Sequence, residues 1–303
     1  MRLLSSTRFA QGAVRRWAAC LLACFSLAAF QALPAAAETA IRPGFNLFSL
    51  DQDVEIGKAS AARVEQQIPL VPDGDAVRYV ERLGSRLAAQ APGAHYSYSF
   101  HVANLADINA FALPGGYVYV NRGLLEKVRS EGELAGVLSH EIAHVALRHA
   151  THRATKVYAT QAGAGVLAQI LGLNRQGGTS QIVNAIGGFG LNALFLKYSR
   201  EDETQADVVG AQIMARAGYD PTNMADFFQL LRREQGQDPG KVAQFLSDHP
   251  APVNREARVR QEARLLRRNR SARPIGSLAA MQQSLRRLPA ARKMDTRVGV
   301  VAP

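Results

Sequence analysis

The segment His140-Glu141-Ile142-Ala143-His144 constrains this chain more than any other feature, because the apolar residues around it recur at helical spacing. Leu134, Val137, Leu138, Ile142 and Val145 mark one side of a helix predicted over residues 131–153. Two histidines four apart on a helix share a face, with Cβ atoms about 5–6 Å apart. Both imidazoles can then reach one zinc ion at roughly 2.0–2.1 Å. Glu141 is offset around the helix from the first histidine, so it is placed to meet a water at the metal rather than the metal itself.

A catalytic zinc takes three protein ligands and keeps one position open. Cysteine is excluded as the third. The only cysteines, Cys20 and Cys24, fall in an N-terminal stretch with the features of an export signal. Arg2, Arg8, Arg15 and Arg16 form its positive region, an apolar run extends from Trp17 to about Leu33, and Pro34-Ala35-Ala36-Ala37 supplies the small residues of a cleavage site. Cleavage after Ala37 leaves a mature chain with no thiol, hence no disulfide, cysteine nucleophile or thiolate ligand. A second form stays open: Leu21-Leu22-Ala23-Cys24 loosely resembles a lipoprotein signal, which would place a lipid on Cys24. Either way the expected compartment is the periplasm.

The third ligand must therefore be a histidine or a carboxylate. A metzincin pattern would need glycine at Leu147 and histidine at Ala150, and neither is present. A glutamate from a later helix is the other common solution. Glu203 fits, with Asp207 four residues on, on the same face, where it can accept a hydrogen bond from a ligand histidine. Glu201 and Asp202 stand beside it, so spacing alone does not select among the acids. His149 and His152 follow the motif and are expected as surface groups or as neighbours of the ligands.

The remaining pattern is α+β and mainly helical. Helices are expected over 51–67, 76–89, 200–217 and 223–235, strands over 96–102, 108–113 and 117–120, with Pro114-Gly115-Gly116 joining the last two as a hairpin. Residues 157–196 carry hardly any charge and are expected as a mobile lid or helical hairpin. The net charge of +11 sits at the ends of the chain: residues 1–37 have four arginines and no acid, and residues 254–303 have thirteen Lys/Arg against three Asp/Glu. The domain boundaries implied are a signal at 1–37, a catalytic domain at 38–260 and a basic tail at 261–303. The tail is expected as a solvated face, or second as a contact for an anionic membrane surface. A nucleic-acid partner is excluded for an exported chain.

His140–Val145 followed by Arg148-His149, together with Ser199-Arg200-Glu201-Asp202-Glu203-Thr204-Gln205-Ala206-Asp207, resembles the HtpX/BepA/LoiP family of gluzincin zinc metallopeptidases, which also contains the CAAX prenyl proteases. Asn109-Ala110-Phe111-Ala112-Leu113-Pro114-Gly115-Gly116 and His249-Pro250 with Arg255 match further segments, and the resemblance covers roughly residues 45–260. It implies a zincin-like core with a small antiparallel sheet packed on the motif helix. It implies one zinc ion per chain on His140, His144 and Glu203, with Glu141 as general base. Asp207 is implied as a proton-handling acid, and His249 as a group near the metal that stabilises the oxyanion or gates the site. Asn109, Ala110, Phe111, Ala112, Leu113, Gly115 and Arg255 are implied as substrate contacts. The chain departs from the family's membrane-embedded and repeat-bearing members and is closest in shape to a stand-alone periplasmic type.

The function expected is zinc-dependent endopeptidase activity of the cell envelope on misfolded or misassembled proteins, with a zinc-activated water as nucleophile. The alternative is a latent-site protease acting mainly as a protein-binding outer-membrane assembly factor.

Overall fold

The structure, a computed structural model, describes residues 38–161, 197–249, 254–266 and 271–293. The expected export signal with Cys20 and Cys24, and nearly all of the expected lid at 157–196, lie outside the described residues. No helix among the described residues is long and apolar enough to cross a membrane.

Helix α1 (Leu50–Gln67) starts at Ser49, whose hydroxyl accepts from Gln52 N–H while the Gln52 side chain accepts from Ser49 N–H. Helix α2 (Asp75–Ala88) buries Tyr79, Val80, Leu83 and Leu87 along one stripe. Strands β1 (Ser99–Ala103), β2 (Ala110–Leu113) and β3 (Tyr117–Asn121) follow. The hairpin between β2 and β3 turns at Pro114–Gly116, where Gly115 takes φ +73°. An L side chain is strained in that region.

The sheet runs in the order β1-β3-β2. It corrects one expectation: β2 and β3 are antiparallel, but β1 pairs with β3 in parallel, with Phe100 opposite Val118. The sheet is mixed because residues 104–109 carry the chain to the far edge, and β3 returns into the gap beside β1. This order also leaves β2 with one edge unpaired among the described strands. Alternation sorts the side chains: Phe100, Val102, Ala110, Val118 and Val120 join the main core, while Phe111, Leu113 and Tyr119 pack against Ala61 and Val64 of α1 and Ile68 just after it.

After a short helix α3 (Arg122–Lys127) comes the motif helix α4 (Glu131–Ala146), capped by Ser130 accepting from Glu133 N–H. Leu134, Leu138 and Ile142 are fully buried, each contributing roughly 1.5–3 kcal/mol. The helix ends seven residues short of the expected Arg153, because Arg148 takes φ +59°. Its Nε lies 2.6 Å from Asp53 Oδ2 and its Nη2 donates to the carbonyls of Phe48 and Ser49, so α1 holds the break. The chain resumes as α5 (His149–Gln161).

Helix α6 (Arg200–Arg216) is capped reciprocally by Ser199 and Asp202. It lies close against α4 because Gly210 has no side chain: a Cβ there would meet His140 N at 3.2 Å and Met224 Cε at 2.9 Å. Helices α7 (Thr222–Gln237), α8 (Pro239–Asp248) and α9 (Arg255–Leu265) complete this side. The boundary expected at residue 260 falls inside α9. Beyond it, α10 (Leu278–Arg286) buries Met281 and Leu285 in the main core, and Arg292 pairs with Leu105. The described part of the tail thus docks Met281 and Leu285 in the same core, while its basic residues Arg273, Arg286, Arg287, Arg292 and Lys293 stay exposed.

Candidate metal centre and active site

The first turn of α6 and the middle of α4 face each other, and this brings Glu203 to the two motif histidines. His140 Nε2 and His144 Nε2 are 3.0 Å apart. Glu203 Oε1 is 3.4 Å from His144 Nε2, and Glu203 Oε2 is 3.5 Å from His140 Nε2. His249, at the C-terminal end of α8, adds a fourth donor: its Nδ1 is 3.0 Å from Glu203 Oε1 and 3.4 Å from His140 Nε2. Donors at tetrahedral positions about 2.0–2.1 Å from one ion stand roughly 3.3 Å apart. The four residues fit that spacing, and all are buried.

The far side of each imidazole explains why the Nε2 atoms face inward. His140 Nδ1 lies 3.1 Å from Asp207 Oδ1, so it donates there and leaves Nε2 as an acceptor. His144 Nδ1 lies 2.9 Å from His149 Nδ1, and His149 Nε2 lies 3.2 Å from Gln205 Oε1. The consistent assignment has His144 donating to His149 and His149 donating to Gln205. Two converging lone pairs need a cation between them.

Charge gives a second test. Around the donors the carboxyls of Glu141, Glu203 and Asp207 are buried beside the guanidinium of Arg255, three negative charges against one positive when all are ionised. With the histidines neutral the excess is two, the charge of one divalent ion. Among the protein groups alone, protons meet that excess. Burial pulls His140 down, but its bonds to Asp207 and Glu203 and the charge of Glu203 outweigh it, to about 9. Burial likewise lowers His249, and Glu203 and Glu141 reverse it upward. Glu203 is held well below the usual range, since His249 and Arg255 overcome its burial. The residues present therefore fit a divalent metal.

Glu141 is fully buried, its Oε1 is 3.5 Å from His249 Nε2, and neither carboxylate oxygen has a hydrogen-bond partner among the described residues. Burial pushes its carboxyl up, against the attraction of His249 and His140. That is the environment of a base that must hold a proton transiently.

Two expected roles look different in place. Asp207 receives two parallel bonds from Arg255 as well as the His140 contact, and these hold its carboxyl low in spite of burial. It is thus held as an acceptor for Arg255 and His140. Arg255, expected among the substrate contacts, is buried beside the cluster, its guanidinium on Asp207 and Glu203 and its Nη2 3.3 Å from His140 Nδ1.

The segment expected as a substrate edge falls on β2 and the residue before it. Asn121 N–H donates to Asn109 O, so residues 109, 111 and 113 face β3 and, by alternation, Ala110 and Ala112 turn main-chain groups to the unpaired edge. Asn109 itself is buried, with its amide nitrogen 3.3 Å from Asp248 Oδ2 and its amide oxygen accepting from Ala110 N–H. A small cavity lined by Ala112, Leu113, Gly115, His144, Arg148 and Tyr198 joins this edge to the centre.

Tyr198 is the neighbour of the cluster that pattern reasoning misses. Its ring stacks on His144 at 3.9 Å and lies 5.6 Å from His249. It precedes a helix cap and has no periodicity to flag it. His149 carried a signal, the Arg-His pair after the motif, but not its role.

Comparison with known proteins is consistent with this geometry. The profile of "Peptidase family M48" matches residues 76–263. The beta-barrel assembly-enhancing protease of Yersinia pestis is 32% identical over 219 residues, covering 71% of this chain and 44% of that protein. Its namesake in Escherichia coli K12 is 30% identical over 224 residues, 72% of this chain and 45% of that one. The mitochondrial metalloendopeptidase OMA1 of Schizosaccharomyces pombe is 32% identical over 183 residues, 60% of this chain and 52% of that one. The chain thus spans about half the length of these relatives.

Proposed function

The chain belongs to peptidase family M48, and from that premise we propose that it is a zinc-dependent endopeptidase of the cell envelope. The observation that carries the reading is the convergence of His140, His144 and Glu203 on one point, with the orphaned carboxylate of Glu141 beside it. Zinc suits this buried set of imidazole and carboxylate donors at tetrahedral spacing. When bound, the ion supplies Lewis acidity to the scissile carbonyl and to the attacking water.

The chain's own residues do the rest. Glu141 accepts a proton from the water at its carboxylate and delivers it to the leaving amine nitrogen. Asp207 and His149 fix the tautomers of His140 and His144, so that neither ring turns away from the ion. His249 fills the fourth donor position that a catalytic site keeps free. We assign it the gate: the ring swings out when substrate enters.

The substrate lies as an added strand along Ala110–Leu113, with Ala110 O and the Ala112 amide and carbonyl as its partners. Main-chain pairing asks for an extended segment and little sequence, which suits unfolded or misassembled proteins. Relatives named for β-barrel assembly make barrel precursors the first class to try. Export by residues 1–37 would put the enzyme in the periplasm, free after cleavage at Ala37 or tethered by lipid at Cys24.

The test is metal binding by the mature chain under chelator competition. One equivalent of zinc is expected, lost in His144→Ala and in Glu203→Ala. A wild-type chain that takes up no zinc would overturn the reading.

A further inference from the structure

Arg255 sits where a cation is hardest to explain. It is 4% exposed, beside a cluster whose charge and donors suit a divalent ion. Like charges in a dry interior repel strongly, so the guanidinium must do something there that offsets its cost. Its donors are taken up by protein groups. Nε and Nη2 make two parallel bonds to Asp207 at 2.9 and 2.6 Å, and Cζ lies 4.4 Å over the Phe228 ring. These contacts fix the plane of the group. Its remaining arm, Nη1, lies 2.8 Å from Glu203 Oε2.

That contact makes the two oxygens of Glu203 unequal. Oε1 faces His144 Nε2 and His249 Nδ1, at 3.4 and 3.0 Å. Oε2 faces Arg255 Nη1 and stands 3.5 Å from His140 Nε2. The Oε2 contact is an ion pair by distance without the alignment of a hydrogen bond. A free carboxylate can chelate a metal through both oxygens, which would raise the coordination number and fill space the reacting carbonyl needs.

We propose that Arg255 is a positioning residue that holds Glu203 as a one-oxygen ligand: with Oε2 pinned to the guanidinium, only Oε1 is offered to the ion. Asp207 is the anchor of this arrangement, tying the guanidinium on one side and the Nδ1 of His140 on the other. One carboxylate thus sets both the tautomer of a histidine ligand and, through Arg255, the denticity of the carboxylate ligand. The proposal rests on the metallopeptidase reading and deepens it.

Cobalt(II) in place of zinc tests it, because visible absorption of cobalt is intense in four-coordinate sites and weak in sites of higher coordination number. The variant is Arg255→Met combined with Asp207→Asn. It removes the buried charges as a pair, and the new amide oxygen can still accept from His140 Nδ1. Intense absorption is expected for the wild type, and a several-fold loss for the double variant at full cobalt occupancy. An unchanged spectrum at full occupancy overturns the proposal. So does a folded double variant that binds no cobalt, since Arg255 would then govern affinity rather than denticity. Should the double variant not fold, Arg255→Lys decides. One ammonium cannot hold Asp207 and Glu203 together, so the same loss is expected, and a wild-type spectrum overturns the proposal. A wild-type chain that takes up neither zinc nor cobalt fails the metallopeptidase reading itself, a separate result.

Discussion

The Nδ1 atoms of His144 and His149 lie 2.9 Å apart, so one imidazole orients the other. Burial holds His149 down at about 4, which keeps its ring neutral and its Nδ1 available as an acceptor. His149→Phe removes that acceptor while keeping the volume. Zinc affinity should fall about 10–100-fold, the usual effect of losing a group that orients a ligand. Chelator competition measures it, with circular dichroism to establish that the fold is retained. Unchanged affinity would mean that packing, not the hydrogen bond, orients His144.

His249 completes the donor set, and a catalytic site needs that position open. His249→Ala should therefore bind zinc more weakly than the wild type yet cleave an unfolded protein faster. Steady-state cleavage of casein at saturating zinc separates the two effects. Slower cleavage with zinc retained would make His249 an oxyanion-stabilising group instead of a gate.

Leu285 is fully buried although it lies in the basic tail, beyond the residues matched to the family. Leu285→Ala should cost about 2–5 kcal/mol, as buried leucine truncations do. Urea unfolding reads this directly. An unchanged midpoint would mean that the tail is not docked in solution.

His101 lies on β1, stacked at 4.9 Å on Tyr119. Burial holds its imidazole below the ordinary value, against the pull of Glu65 and Glu81. Between the folded value and the unfolded value of about 6.5, the unfolded chain binds a proton that the folded chain does not. Its stabilising contribution is thus complete above about 6.5 and is lost as pH falls through that window. Urea midpoints at neutral and mildly acidic pH should differ less in His101→Gln than in the wild type. An equal difference in both would remove His101 from the account.

Much of this was legible in the sequence where local periodicity and tertiary packing agree. The core faces of α2 and α4 follow directly from Leu83, Leu87, Leu134 and Leu138, and the hairpin from Pro114-Gly115-Gly116. The motif's spacing likewise predicts that His140 and His144 share a face. What was not legible depends on distant partners. Nothing local foretells the break at Arg148, which needs Asp53 from α1. The parallel pairing of β1 depends on where residues 104–109 cross. The placement of Arg255 beside the metal site depends on Asp207 and Glu203 arriving from α6. Tyr198 was missed because a single aromatic residue before a helix cap carries no pattern.

The most direct test of the central claim compares Glu141→Gln with the wild type, each loaded with zinc, in cleavage of casein. The account predicts one zinc per chain in both, with cleavage slowed by at least about 10²-fold in the variant, the usual effect of losing a general base. Equal cleavage by the two proteins, at equal zinc content, would contradict it.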